Sequence, residues 1–218
     1  MEQPNNSFGF ISSEVDTHMS KNNEWGAVAY LTHSIYGRCT SSTSCTEVGI
    51  NNNENYITGY GAPAGSDKTV SNGAYNTTLG KDASTTKTIY GIYDMSGGAV
   101  EYVMGVLADP NGKPRSGYGS STNSGFTGML YDGTSYTGIP FPNSKYYNLY
   151  IGNSYQGHAL TETKNWYSDN DVFVISGYPW FTHGGGYSGS AIAGVFTFDR
   201  YFGNSSSYYS SRFVITNE

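Results

Sequence analysis

The sequence predicts an α+β fold, rich in loops, whose strands are short and mostly antiparallel. Three observations carry that expectation. Charged residues make up only 13% of the chain and apolar ones 37%, while aromatic residues reach 16%. Low charge with abundant aromatic surface is the opposite of the disordered composition and supplies material for a core. One segment near the N-terminus has clear helical periodicity. Elsewhere, short apolar runs are separated by stretches dense in Gly, Asn, Ser and Thr, the pattern of strands joined by turns.

The length of 218 residues suits one domain with long loops, and residues 1–218 are read as that single domain. Residues 1–16 read as a polar lead-in. In NNEWGAVAYLTHSIYG, Trp25, Val28, Ala29 and Leu31 recur at helical spacing; Asn22 or Asn23 would cap the start and Gly37 the end. The polar stretch from Arg38 to Lys87 reads as loops with short strands, ITGYGA among them. Irregular segments of that length in a compact domain usually serve a function. KTIYGIYDMSGGAVEYVMGVL predicts two strands around a tight turn at Gly97-Gly98. KYYNLYIG, the buried run DVFVIS, and the closing GVFTF and SRFVI are the remaining strand candidates. No fixed-period repeat is visible.

Charge and hydropathy exclude several classes. The net charge is −6 and no Lys/Arg cluster exists, which argues against nucleic acid and anionic membranes as partners. No apolar run approaches the roughly 20 residues that span a bilayer. MEQPNNSFGF lacks the basic and apolar stretches of a signal peptide, so export would use another route or the chain lacks its natural start. Cys39 and Cys45 enclose five residues; a short disulfide suits an oxidising, extracellular setting, and two free thiols in a surface loop are the alternative. A zinc site is disfavoured because no His or second Cys pair sits at ligand spacing.

From Trp180 the chain reads WFTHGGGYSGSAIAGVFTFDRYFGNSSSYYSSRFVI. Tyrosine offers large contact area for few lost rotamers, and serine and glycine offer adaptable hydrogen bonding, which is the composition of a paratope. The segment holds few groups that titrate near neutrality. Between Thr182 and Ile215 it also lacks Lys, Glu, Gln, Met and Trp, which the rest of the chain uses.

Gly91-Ile92-Tyr93-Asp94-Met95-Ser96-Gly97-Gly98-Ala99-Val100-Glu101-Tyr102 resembles the GLYDMxGNVWEW signature of the formylglycine-generating-enzyme family, a branch of the C-type lectin-like fold. His183-Gly184-Gly185-Gly186-Tyr187 is similar to that family's RGGSW box, and Ser211-Arg212-Phe213-Val214-Ile215 to its closing GFRVV strand. Within that fold, the segment 180–215 more closely resembles the variable region of target proteins of diversity-generating retroelements. In such systems adenines of a template are randomised, and an Asn codon never yields the five residue types missing here. The chain departs from the pattern at Val100 (Trp in the family), His183 (Arg) and Ser211 (Phe). The enzymes' catalytic cysteines have no counterpart, since both cysteines lie upstream of the YDMSGG box, and the lectin calcium motifs are absent.

The resemblance implies a C-type lectin-like scaffold at the cell surface, outside the cell or on a phage virion. Its function would be binding, not catalysis, with no cofactor and no metal. The partner would be an unidentified macromolecule, a protein or cell-surface component; oligomeric state stays open. Tyr187, Tyr201, Phe202, Tyr208 and Tyr209 are the main contact candidates, with core or rim packing as the alternative. Asp199 and Arg200 are either a salt bridge or a polar hot spot. Ser188, Ser190, Ser206 and Ser207 are adaptable contacts or plain solvated surface, and Ala191, Ile192 and Thr197 complete the set. Phe196 and Phe198 alternate like buried strand residues and are assigned to the core. Gly184, Gly185, Gly189, Gly194, Gly203, Trp180 and Arg212 read as framework. His18, His33, His158 and His183 read as isolated histidines, and Asp94 and Glu101 as structural hydrogen-bonding groups. The rival readings are an oxidase of the formylglycine-generating type, a pilin-like or virion-decoration subunit, and a calcium-dependent lectin.

Overall fold

The computed structural model describes residues 6–50, 75–108, 130–131, 136–137, 142–151 and 160–217. Its organising element is β4 (Val100–Leu107), buried from Val103 to Leu107. The buried Val103, Met104, Val106 and Leu107 side chains make it a core strand. On one edge β4 pairs antiparallel with β8 (Trp180–His183), which pairs antiparallel with β9 (Phe198–Tyr201). On its other edge it takes two parallel partners, β10 (Tyr209–Ser210) at Val100–Glu101 and β7 (Asn148–Tyr150) at Gly105–Leu107. Between those two, the Met104 N–H bonds the Ser20 carbonyl (2.8 Å). The central sheet is therefore mixed. The other pairs are antiparallel: β1 (Val15–Met19) with β11 (Phe213–Asn217), β2 (Cys39–Ser41) with β3 (Ser44–Cys45), and β5 (Leu130–Tyr131) with β6 (Tyr136–Thr137). With the helices α1 (Asn22–Thr32), α2 (Thr78–Asp82) and α3 (Leu160–Thr163), this is an α+β architecture.

Helix α1 lays Trp25 and Ala29 against the sheet core of Val103, Leu107, Phe173, Phe181 and Phe198. Leu31, expected on the same face, is exposed instead. Neither Asn22 nor Asn23 caps the helix. Lys21 holds that position, and its N–H donates to the Glu24 carboxylate (2.8 Å), half of a capping box. The helix ends at His33. Gly37 sits beyond the cap, where the chain folds back so closely that a Cβ would lie 2.2 Å from the Leu31 carbonyl oxygen.

Several strand expectations are corrected. Val15 and Asp16, assigned to the lead-in, begin β1; the Asp16 carboxylate accepts from Tyr146 Oη (2.7 Å) and Lys145 Nζ (3.0 Å). The predicted strand before Gly97-Gly98 is a loop. Thr85 and Ile92 exchange hydrogen bonds across it, and Asp94 takes a positive φ of 62°, so its polar groups are satisfied locally instead of in a ladder. GVFTF is a turn closed by Thr197 N–H to the Gly194 carbonyl (3.1 Å); Phe196 is nevertheless buried, and the strand starts only at Phe198. DVFVIS buries Phe173 and Val174 but makes only isolated bridges. KYYNLYIG divides into a 3-10 turn at Ser144–Tyr146 and the short β7. ITGYGA lies outside the described residues.

Candidate functional site

The three sequence boxes, far apart in the chain, meet at one junction. In the β4–β8 register Glu101 lies opposite His183. Arg212 reaches the same carboxylate through Nε (2.7 Å) and Nη2 (2.5 Å), a fork geometry suited to guanidinium. The fork also donates to the carbonyls of Tyr93 (3.2 Å) and Asp94 (2.8 Å), and lies over the Trp25 ring at 5.3 Å. Burial pushes the Glu101 carboxyl up, while the Arg212 hydrogen bonds and charge pull it back. The Gly97 N–H donates to the carbonyls of Gly184 (2.6 Å) and Ala193 (2.8 Å), tying the first box to both ends of the following loop.

His183 is the loop's buried anchor. Its Nδ1 bonds the Thr197 carbonyl (3.0 Å), its Nε2 meets the Asn22 amide (2.5 Å), and its ring stacks on Trp25 at 5.1 Å. Burial pushes its pKa down to about 3, so the ring is neutral at ordinary pH. Gly184 and Gly185 follow with φ of +74° and +60°; at Gly185 an added Cβ would meet the Ala193 Cβ at 2.6 Å. The chain then runs through a 3-10 helix (Tyr187–Ile192), β9, Gly203 at φ +83°, β10 and β11.

The candidate contact residues divide by depth. Ser188, Ala191, Ile192, Ser207 and Tyr208 are exposed, and Tyr187, Asp199, Arg200, Tyr201, Phe202, Ser206 and Tyr209 are half-buried. Ser190 lies in the 3-10 helix. Thr197 is corrected: it is buried and its hydroxyl donates to the Ile192 carbonyl (2.6 Å), so it closes the turn and presents nothing outward. Asp199 and Arg200 are joined through the backbone, the Arg200 N–H donating to the Asp199 carboxylate (2.7 Å), while their side chains take different further partners. Asp199 accepts from the Asn170 amide (3.1 Å) and burial pushes its carboxyl up; the Arg200 guanidinium donates to the Phe173 carbonyl (3.3 Å) and lies 5.9 Å over the Tyr178 ring.

The aromatic candidates are in mutual contact. Tyr209 lies between Tyr102 (5.0 Å) and Tyr201 (4.9 Å), Tyr201 meets Phe202 (4.4 Å), and Phe202 meets Tyr178 (5.4 Å). Tyr187 and Tyr208 pair at 6.2 Å. Burial pushes the Tyr102 and Tyr209 phenols upward, so both stay protonated donors. Tyr209 forms a wall common to two clefts. One, of about 180 Å³, is lined by Gly185, Gly186, Ile192, Asp199 and Tyr201; the other, of about 340 Å³, by Met19, Tyr102, Met104, Trp180 and Asn204. Such a surface offers π faces, hydroxyls and small clefts to a ligand. Tyr102 and Tyr178 were not among the sequence candidates; each lies outside segment 180–215 and is brought in by pairing.

The chain matches no family model and no curated protein.

Two further groups escaped the sequence. Asp169 accepts from the backbone N–H of Gly194 (2.9 Å) and Phe196 (3.0 Å), fixing the turn under the contact face, and burial pushes it up to about 6. Beside it, burial and then the Asp169 charge push Glu47 up to about 7. Neither carboxylate sits in a motif, so no sequence signal marked them. Cys39 and Cys45 are joined by a disulfide between β2 and β3, and His33 stands within 4.8 Å of both sulfurs. Spacing alone did not predict that proximity. With both sulfurs in a disulfide, neither is a thiolate able to ligate a metal.

Proposed function

We propose that the chain is a ligand-binding display protein. A C-type lectin-like scaffold carries residues 180–215 as a segment diversified by a retroelement, outside the cell, at the cell surface or on a virion. The partner is a macromolecule, a protein or cell-surface component, held by aromatic anchors within a rim of serine hydroxyls. One observation carries this reading. Tyr187, Ser188, Ala191, Ile192, Ser207 and Tyr208 reach solvent from a backbone held by other groups. The Tyr187 N–H donates to the Gly98 carbonyl (2.8 Å), the Tyr208 carbonyl accepts from the Val100 N–H (3.0 Å), and Asp169 holds the turn between them. The convergence of the three boxes on the Glu101–Arg212 pair supports the family resemblance from which the lectin-like reading comes.

The test is substitution tolerance together with genomic context. Replacing Ser188, Ala191, Ile192, Ser207 and Tyr208 singly with Asn is expected to change unfolding free energy by no more than about 0.5 kcal/mol each, as at free surface positions. Genomic DNA beside the coding sequence is expected to hold a near-copy of the 180–215 stretch differing at adenines, with a reverse transcriptase nearby. Losses above about 2 kcal/mol at most of these positions, or a locus without such a copy, would overturn the display reading.

A further inference from the structure

A second surface carries an independent message. The C-terminal end of α1 and the loop 84–92 enclose a depression of about 240 Å³, lined by Leu31, Tyr36, Gly37, Tyr90, Gly91 and Ile92 among others. Leu31, Ile35, Tyr36, Tyr90 and Ile92 are exposed to 58, 65, 79, 88 and 41%. An aromatic side chain offers roughly 150–250 Å², and taking the low end of that range for Leu and Ile, these fractions amount to about 600 Å² of apolar surface. That is at the upper limit of the ~300–600 Å² patch of an ordinary monomer. At the roughly 65% apolar share of homodimer interfaces it corresponds to about 900 Å² per partner, which matches the ~800 Å² of a stable interface.

Charge and shape select the occupant. None of the described residues lining the depression is charged at neutral pH; Val28, Thr32, Thr85 and Thr86 make up the rest. Two identical linings therefore put no like charges against each other, and the exposed Lys87 of the enclosing loop lies outside the lining. The patch also holds both halves of a fit, since the exposed Tyr36 and Tyr90 rings line a hollow in which Gly37 and Gly91 contribute no side chain. A two-fold axis through such a patch lets each protomer's tyrosine enter its partner's hollow, the self-complementary geometry of an isologous dimer. We infer that this surface is the interface of a homodimer, centred on Tyr90 and Tyr36. Among the described residues it shares none with either cleft beside Tyr209, so dimerisation leaves the candidate contact face free and makes the protein bivalent.

Sedimentation equilibrium of the full chain across micromolar concentrations tests it. A monomer–dimer equilibrium is expected, with Tyr90→Ser and Tyr36→Ser each weakening it at least tenfold, as at hot-spot aromatics. Both side chains are exposed, so at concentrations low enough that the wild type is also monomeric, circular dichroism and the melting temperature should stay unchanged, and Tyr187→Ser and Tyr208→Ser should leave association intact. A wild-type chain monomeric throughout overturns the inference, as does a dimer indifferent to Tyr36 and Tyr90. Dissociation by the Tyr208 variant alone would move self-association to the aromatic face. Binding of monomer to phosphatidylcholine vesicles, lost in the Tyr90 variant, would assign the patch to a lipid surface. The outcome is independent of whether segment 180–215 tolerates substitution.

Discussion

Replacing Arg212 with Met removes the cation that neutralises Glu101. The Glu101 side chain is 8% exposed and that of Arg212 25%, so the carboxylate is left almost fully buried without a counter-charge. Breaking a buried pair by deleting one partner costs roughly 3–5 kcal/mol, and partial exposure of the guanidinium places this case near about 3 kcal/mol. For a chain of this size that corresponds to a fall in Tm of about 6–12 °C. The loss depends on pH. Burial already pushes Glu101 up, and Arg212 pulls it down; without Arg212 the folded-state pKa rises further above the unfolded value. A raised carboxyl stabilises the fold below its unfolded pKa and loses that contribution as pH rises. The Arg212→Met defect should therefore be largest near pH 8 and shrink toward pH 5. Urea denaturation at both pH values measures it, and Glu101→Gln in the Arg212→Met background should restore part of the loss at pH 8. A cost under about 1 kcal/mol at pH 8, or a double variant no better than the single, would refute the reasoning.

Three other predictions concern the frame. Glu47, pushed up to about 7, should make wild-type stability fall as pH rises from 6.5 to 8, because the folded state holds a proton that the unfolded chain has released; Glu47→Gln should flatten that slope, measured by urea midpoints. Below that window neutral His183, pushed down to about 3, acts in the opposite sense, with its stabilising contribution lost as pH falls. Removing the Cys39–Cys45 link, whose sequence separation is six, should cost about 2 kcal/mol by loop entropy in equilibrium denaturation. Gly185→Ala forces a side chain into φ +60° and against Ala193, and should lower stability by at least about 2 kcal/mol while Gly26→Ala, with nothing within 4 Å of its Cβ, does not.

The elements legible in sequence were those with strong local patterning. Trp25 and Ala29 marked the buried face of α1, and the apolar Val100, Val103 and Val106 after Gly97-Gly98 marked the strand that became β4. What failed were segments whose hydrogen bonds are satisfied without a ladder. Ile89 and Ile92 look like strand residues, yet the hydroxyls of Ser84, Thr85 and Thr88 accept from the backbone N–H of Thr86, Ile92 and Tyr90 and hold a loop. Phe196 is buried as the alternation implied, but Asp169, distant in sequence, takes its N–H and makes the segment a turn. The same limit applies to the candidate site. The tyrosines of segment 180–215 were visible as composition, whereas Tyr102 and Tyr178 enter the aromatic cluster only through sheet pairing and loop return. Thr197 shows the converse error, since a residue amid exposed neighbours turned inward where Gly194 allowed a tight turn.

The groups that hold the contact segment lie mostly outside the contact face. Trp25 donates its indole N–H to the Val195 carbonyl (3.1 Å), Asp169 holds Gly194 and Phe196, and Arg212 and Glu101 lock the β4 end. Exposed side chains such as Tyr208 and Ser207 therefore contribute little to keeping that backbone in place. Tyr201 and Tyr209 are different, because they pack with Tyr102 and with each other and line the clefts at the same time. Substitution there alters packing and contact together. Tolerance should accordingly fall in the order Tyr208, Tyr187, then Tyr201 and Tyr209, measured as loss of stability on change to Ser. A flat profile across the four would mean that the aromatic pile bears no load, and an inverted one would place the fold's support on the face and not beneath it.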